Sequence, residues 1–317
     1  MTDGTGSSSP ALDLFRAAPH VRLHRGSVMV IKVGGAALAR PAALERFARQ
    51  VSVVQAFGAR VVVVHGGGTQ TDALQRLLGE EPRMIDGRRV TSRTALRALS
   101  MATAGELNGA IVSALAGFGV PAVGVSGASA GVLVAERRTP VPTSEGMVDF
   151  GEVGDLVDVD PAPLSVLLDA GHTPVVSPPV SDGRGGLLNV NADLAAAGLA
   201  VGLGAAKLLL LTGAPGVLED PADPSSLCSA LTLAELDALD QRGALGGGMR
   251  VKAVACKNAL RGGVARVHVV SGDDRDALLR ELYSNHGAGT LITLRPETAP
   301  VTVPNAAPAP ERHEVEA

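Results

Sequence analysis

Short runs rich in Val, Ile and Leu alternate with stretches of helical periodicity along most of this chain. Residues 28–33 (VMVIKV) form an apolar run interrupted by one lysine and ended by Gly34-Gly35. A helix is expected from Pro41, with Pro at its first position and Leu44, Phe47, Ala48 and Val51 on one face. Residues 60–64 (RVVVV) read as a second strand, followed by His65-Gly66-Gly67-Gly68 and then a helix through Leu74 and Leu77. The spacing of Leu96, Leu99, Thr103, Leu107, Ile111 and Leu115 predicts one long helix over residues 91–115. Residues 120–126, 173–176, 207–211 and 265–270 read as further strands. Residues 132–138 and 147–159 read as extended excursions that could pair as a hairpin. Continuous apolar strands need cover on both faces, which a parallel sheet with crossover helices provides. The predicted class is α/β.

Composition changes this picture mainly at the ends. Residues 1–10 are rich in Gly and Ser, and residues 295–317 set five prolines in a small polar background. Both stretches are expected to be disordered, leaving a folded body at about residues 11–294. The 317 residues allow two modest domains or one large one. No apolar run reaches the roughly 18–20 residues of a membrane span, and the start has no secretory signal pattern, so a cytoplasmic protein without a membrane partner is expected. A net charge of −4 argues against a nucleic-acid partner. Cys228 and Cys256 lie too far apart in sequence for a CxxC pair, which disfavours a disulfide framework or zinc site. Aromatics make up only 2% of the chain, so the core must be aliphatic and base-stacking platforms are not expected. The seven histidines, among them His65, His172 and His286, show no ligand spacing and read as structural or solvated, so no protein-built metal site is expected.

Candidate chemistry lies at the carboxyl ends of the first two strands, where open parallel sheets bind ligands. Gly34-Gly35 and Gly66-Gly67-Gly68 would let backbone N–H groups approach an anion closely, beside Lys32. Neither the P-loop pattern nor a strand-linked GxGxxG is present, so any phosphate is bound differently. Residues 127–131 (GASAG) match the GxSxG of a hydrolase nucleophile elbow. That motif requires a strand-to-helix turn, and an extended run follows here, so a small-residue turn is the better reading.

Six motifs in order then carry a resemblance: IKVGG at 31–35, VVHGGG at 63–68, GRRVT at 87–91, LNVNAD at 188–193, LTGAPGVL at 211–218 and GGMRVK at 247–252. Over about residues 11–294 the chain resembles the acetylglutamate kinases of the amino-acid kinase superfamily. The resemblance implies a three-layer αβα sandwich with a mainly parallel central sheet and two lobes. Residues 27–178 would hold the amino acid and residues 179–294 the nucleotide. It implies ATP-dependent phosphorylation of the side-chain carboxylate of N-acetyl-L-glutamate, with Mg²⁺ accompanying ATP. Such a carboxylate is already ionised at neutral pH, so the chemistry calls for alignment and positive charge rather than a general base. Lys32 and Lys252 match the two lysines that stabilise the phosphoryl group, and Asp193 the acid that holds them. Gly67 and Gly68 match amide donors to substrate, and Arg89 and Asn189 the grip on its amino-acid portion. On the nucleotide side, Gly34, Gly35, Gly213, Gly216, Leu218, Ala244 and Gly246 match the loops around ATP. Gly213 departs from the family pattern, which usually has an acidic residue there, and Thr69 stands where Pro is common.

Residues 11–26 are similar to the N-terminal helix and linker of the arginine-inhibited branch, in which that helix joins dimers into a hexamer. The implied partners are further copies of the chain, as a dimer or a hexamer, and L-arginine as a candidate feedback inhibitor near Glu281 and residues 287–290. His20 stands where Tyr is frequent. Three other functions stay open from sequence. One is a kinase for a carrier-linked aminoadipate derivative, another the kinase-like domain of an acetylglutamate synthase, and the third a catalytically silent arginine sensor. The presence of Lys32 weighs against the synthase domain, and retention of Lys32, Asp193 and Lys252 together weighs against the sensor.

Overall fold

The continuous apolar runs become strands buried on both faces. β1 (Val28–Val33), β2 (Arg60–His65), β3 (Ala122–Ser126), β4 (Thr173–Ser177), β5 (Lys207–Thr212), β6 (Ala230–Thr232), β7 (Arg266–Ser271) and β8 (Gly289–Thr293) form one eight-stranded sheet. Its order is β6-β8-β7-β5-β1-β2-β4-β3. Every neighbouring pair is parallel except β7 and β8. This computed structural model describes residues 10–285 and 287–296, so the expectations for residues 1–9, 297–317 and His286 lie outside the described residues.

Among the described residues, ten α-helices complete the layers: α1 (Pro10–His24), α2 (Pro41–Ala56), α3 (Gly68–Leu77), α4 (Arg93–Ser100), α5 (Asn108–Gly117), α6 (Ala162–Asp169), α7 (Ala192–Gly202), α8 (Leu233–Gln241), α9 (Gly247–Arg261) and α10 (Ala277–Tyr283). Strand alternation divides the core in two. Val30, Val62, Leu208 and Leu210 face the cluster built on α6, α7, α8 and α9. Met29, Ile31, Val61, Val63 and Leu209 face α2, α5 and α10. The result is the expected three-layer α/β architecture, packed almost entirely on aliphatic side chains. No helix among the described residues is long and apolar enough to cross a membrane.

Several details depart from the sequence expectation. The long helix starts only at Arg93, because Thr91 is drawn into a backbone pairing instead: its N–H donates to Phe150 O (2.8 Å) and its carbonyl accepts from Glu152 N (2.7 Å). Ser92 then caps α4 by accepting from Ala95 N (3.0 Å). Between α4 and α5, residues Met101–Leu107 are wound as a π-helix, with Thr103 Oγ1 set against the carbonyl oxygens of Leu99 and Pro178. The helix expected through Leu74 and Leu77 forms as α3, but Leu77 is 82% exposed and the buried positions are Thr71 and Gln75. The excursion after β3 contains two antiparallel pairs rather than one, Leu133–Arg137 with Gly154–Val159 and, between them, Val141–Thr143 with Gly146–Val148. A further hairpin, Arg83–Ile85 with Arg88–Val90, was not foreseen.

Candidate active site

Lys32 is the one charged residue inside β1, and its alternation places it on the same face as Val30, toward α7. Asn191 starts α7 as its N-cap, with Oδ1 accepting from Asp193 N (2.8 Å) and Leu194 N (3.2 Å). This fixes Asp193 in the first helical turn, directed at the sheet. Lys32 Nζ lies 2.8 Å from Asp193 Oδ1, and Lys252 Nζ, from α9, donates to Oδ2 at 2.9 Å. The three side chains are 8%, 5% and 12% exposed in the order Lys32, Asp193, Lys252. Burial by itself pushes the Asp193 carboxyl up, but the two ammonium groups together outweigh it and hold the carboxyl below its ordinary range. For Lys32, burial is the largest influence and lowers its pKa, opposed by Asp193 and reinforced by Lys252. Two lysines around one carboxylate leave an excess positive charge at the strand ends, suited to an anion.

The two glycine turns beside this triad are packed into each other. A Cβ on Gly35 would lie 2.7 Å from Gly67 Cα and 2.5 Å from Gln70 Oε1, and a Cβ on Gly67 would lie 2.4 Å from Thr103 Cγ2. Gln70 Nε2 ties the turns together by donating to Gly35 O (3.0 Å). Gly66 approaches Ala192, the neighbour of Asp193, within 3.8 Å of its own ideal Cβ. The cradle and the charged triad are therefore contiguous. Gly68 opens α3, and Arg89 lies against it: Nη1 is 2.5 Å from Asp72 Oδ1 and 3.2 Å from Gln75 Oε1, and Nη2 donates to Gly68 O (3.3 Å). Asn189 Nδ2 donates to Thr91 Oγ1 (3.0 Å), and its backbone is held by Glu152 and Gly154.

The residues expected around the nucleotide fall into two groups. Gly213 and Gly246 face open space, with no heavy atom within 4 Å of a Cβ built on either. Gly246 is the N-cap of α9, which has no side-chain cap, and Ala244 is half-buried just before it, its N–H donating to Leu239 O (3.0 Å). Gly34 is likewise open. Gly216 is different: it is buried against Leu227 and Thr290, Val217 N donates to Thr290 Oγ1 (2.8 Å), and Leu218 pairs with Leu227. Gly216 and Leu218 thus shape the loop rather than line open space. The unforeseen hairpin reaches this side, since a Cβ on Gly87 would lie 3.8 Å from Gly247 Cα.

Residues 27–271 match the amino acid kinase family. This chain belongs to that family. It is 41% identical to the acetylglutamate kinase of Myxococcus xanthus over 90% of this chain and 95% of that protein. Among solved structures it is similar to the N-acetylglutamate synthase of Neisseria gonorrhoeae complexed with coenzyme A and N-acetyl-glutamate, with a TM-score of 0.78 and 30% identity over 90% of this chain. The same synthase complexed with coenzyme A and L-arginine gives a TM-score of 0.75 and 28% identity over 91% of this chain. The chain spans 64% and 66% of the synthase chain in these two structures.

Within this amino acid kinase, several site residues escaped the sequence reading. Asn191 carried a readable signal, an N-cap residue before an apolar helix, as did Asp72 and Gln75, three positions apart on α3. Thr103, Gln70 and Thr91 carried none, since each acts through a contact far away in sequence. The GxSxG segment is a tight turn, Ser129–Gly131, with Ser129 Oγ accepting from Ser126 N (3.1 Å), so it lacks the strand-to-helix context of a nucleophile elbow. Among the described residues, no three His, Cys, Asp or Glu side chains cluster closely enough to hold a metal ion.

Proposed function

We propose that this chain transfers the γ-phosphoryl group of ATP to the side-chain carboxylate of N-acetyl-L-glutamate, yielding N-acetyl-L-glutamyl 5-phosphate and ADP. The single observation that carries this reading is the Lys32–Asp193–Lys252 triad set against the paired glycine turns. The attacking carboxylate oxygen needs no proton removed, so the protein's task is alignment and charge. Lys32 and Lys252 face the oxygens of the migrating phosphoryl group, and Asp193 keeps the two ammonium groups from repelling each other apart. Gly67 and Gly68 offer amide N–H groups to the substrate. Arg89, with Asp72, Gln75 and Gly68 fixing its plane, presents its remaining donors to a substrate carboxylate, and Asn189 holds the same amino-acid portion. Residues 27–178 form the substrate lobe and residues 179–294 the nucleotide lobe. Gly34, Gly35, Gly213, Ala244 and Gly246 approach the nucleotide, with Gly216 and Leu218 shaping their loop. Mg²⁺ enters with the nucleotide, held by phosphate oxygens and water.

The relatives' names do not favour a carrier-linked aminoadipate substrate, and a silent sensor has no use for the buried triad. An assay with ATP, Mg²⁺ and N-acetyl-L-glutamate, trapping the acyl phosphate with hydroxylamine, tests the reading. Substrate-dependent hydroxamate supports it, and hydroxamate only with the aminoadipate carrier would replace it.

L-Arginine is the proposed feedback inhibitor. One related structure holds it, and in this chain Glu281 forms a buried ionic group where α1 meets α10. Glu281 Oε1 lies 2.6 Å from His268 Nδ1, and Oε2 accepts from Ala288 N (2.6 Å) and Gly289 N (3.2 Å). Burial raises the Glu281 carboxyl, but His268 and the two amides bring it below its ordinary value. His24 of α1 donates from Nε2 to Leu282 O (2.9 Å), and α1 leaves Phe15 and Leu23 exposed as a contact surface for a second copy in the cytoplasm. Deleting residues 1–26 should lower the mass seen by light scattering from hexamer to dimer and weaken inhibition by arginine. An unchanged mass would remove the helix from the assembly.

A further inference from the structure

β2 ends in a histidine that is 0% exposed. Alternation puts His65 on the face of Val61 and Val63, on the other side of the sheet from the charged triad. Its ring is bound at both nitrogens. Nδ1 lies 3.0 Å from Gly66 O, and Nε2 lies 3.2 Å from Asn108 Nδ2. A carbonyl oxygen only accepts and an amide nitrogen only donates, so Nδ1 carries the proton and Nε2 accepts. Asn108 is itself fixed, because Nδ2 also donates to Val175 O (2.9 Å) and its Oδ1 occupies the space of a missing side chain, 2.1 Å from where a Cβ on Gly124 would stand. β2, β4, β3 and α5 therefore all hold one imidazole in one tautomer.

The acceptor of its proton, Gly66 O, belongs to the same planar unit as the N–H of Gly67. In a trans peptide the two point in opposite directions. Holding the carbonyl toward His65 turns the Gly67 N–H away from it. Donation to that carbonyl also polarises the unit and makes the N–H a stronger donor.

We propose that His65 is a positioning residue that acts on phosphoryl transfer through the Gly66–Gly67 peptide, aiming the Gly67 N–H into the cleft. The proposal rests on the reading that Gly67 donates to the substrate. Burial keeps the ring neutral, with its pKa pushed down to about 4, so the tautomer persists at working pH.

Three variants separate the two ring nitrogens. His65→Asn keeps a donor near the Nδ1 position, His65→Gln keeps a polar atom near Nε2, and His65→Leu keeps neither. The expected result is kcat within about threefold of the parent for H65N. H65Q and H65L should fall about 10- to 100-fold, less than or equal to the loss of a whole preorganised donor, with KM for ATP unchanged. Thermal unfolding of all four proteins gives the control: a role confined to packing would make activity follow stability and leave H65N no better than H65Q. That outcome, or full activity in H65L, would overturn the proposal. 15N-glycine labelling reads the Gly67 amide once its resonance is picked out from the 39 glycines by its loss in Gly67→Ala. Its resonance should stay near the parent position in H65N and move in H65L, and an unmoved resonance in H65L would also overturn it. If the parent protein itself makes no hydroxamate, the functional reading fails, while the amide resonance still decides the role of His65.

Discussion

Gly35 and Gly67 at the first two strand ends and Gly213 and Gly246 on the proposed nucleotide side do opposite jobs. At Gly35 and Gly67 a side chain is excluded by atoms already present, 2.4–2.7 Å from where a Cβ would sit. At Gly213 and Gly246 nothing lies within 4 Å. The first pair is a finished surface: two turns locked together by Gln70 and backed by Thr103 from the π-wound segment. The second pair borders open space, and under the proposed function that is where the nucleotide approaches. A residue type that looks the same in sequence thus marks close packing in one place and open space in another. Preorganisation belongs where charge moves, and adaptability suffices where a large co-substrate brings its own binding surface.

The largest expected effect comes from the acid that both sides share. Asp193→Asn leaves two buried ammonium groups without a counter-charge, with an expected stability loss of about 3–5 kcal/mol by urea unfolding and turnover near background. Retained stability would mean that the lysines part freely and that the two sides are not held by this group. Lys252→Ala, which removes one of the two ammonium groups and leaves Asp193 paired with Lys32, should lower kcat by roughly 100-fold while the fold survives. A loss of stability matching that of D193N would erase the distinction between the shared acid and its partner. Gly67→Ala and Gly213→Ala then test the contrast directly. The first should cost about 1–3 kcal/mol through overpacking against Thr103, and the second should stay within about 0.5 kcal/mol in the same calorimetric scan. Equal shifts would refute the contrast.

The smallest effect is a pH dependence of the braced side. Burial pushes both His65 and His24 down to about 4, against 6.5 when unfolded. Between those values the unfolded chain takes up protons that the folded chain refuses, so stability is complete above 6.5 and falls as pH drops toward 4. Each histidine should contribute about 1 kcal/mol of loss between pH 6.5 and 5.5. H65N should remove one of the two contributions, and an identical pH slope in H65N and the parent would contradict the assignment.

Much of the fold was legible because burial on both faces leaves a plain mark. β1, β2, β4, β5 and β7 are buried almost without interruption, and each carries a Val- or Leu-rich stretch. β6 and β8 were not legible: β6 has three residues, and β8 owes its reversed direction to its partners rather than to its own side chains. The π-winding at Met101–Leu107 was hidden because one extra residue per turn barely disturbs a seven-residue apolar pattern. The site was half legible. Glycine turns after strands announce themselves locally, whereas Lys32 and Lys252 meet only through Asp193, and their pairing was read from resemblance rather than from spacing.

The sparse aromatic content has an optical consequence. The chain contains no Trp and one Tyr, so its tyrosine emission, at longer wavelength than that of its phenylalanines, comes from a single ring. That ring, Tyr283, is nearly buried edge-on between His24 of α1 and Phe57, at centroid distances of 5.7 and 5.0 Å. Its fluorescence is a built-in signal for one junction alone, and the undocking of the N-terminal helix can be followed in the unlabelled protein by the intensity of one residue.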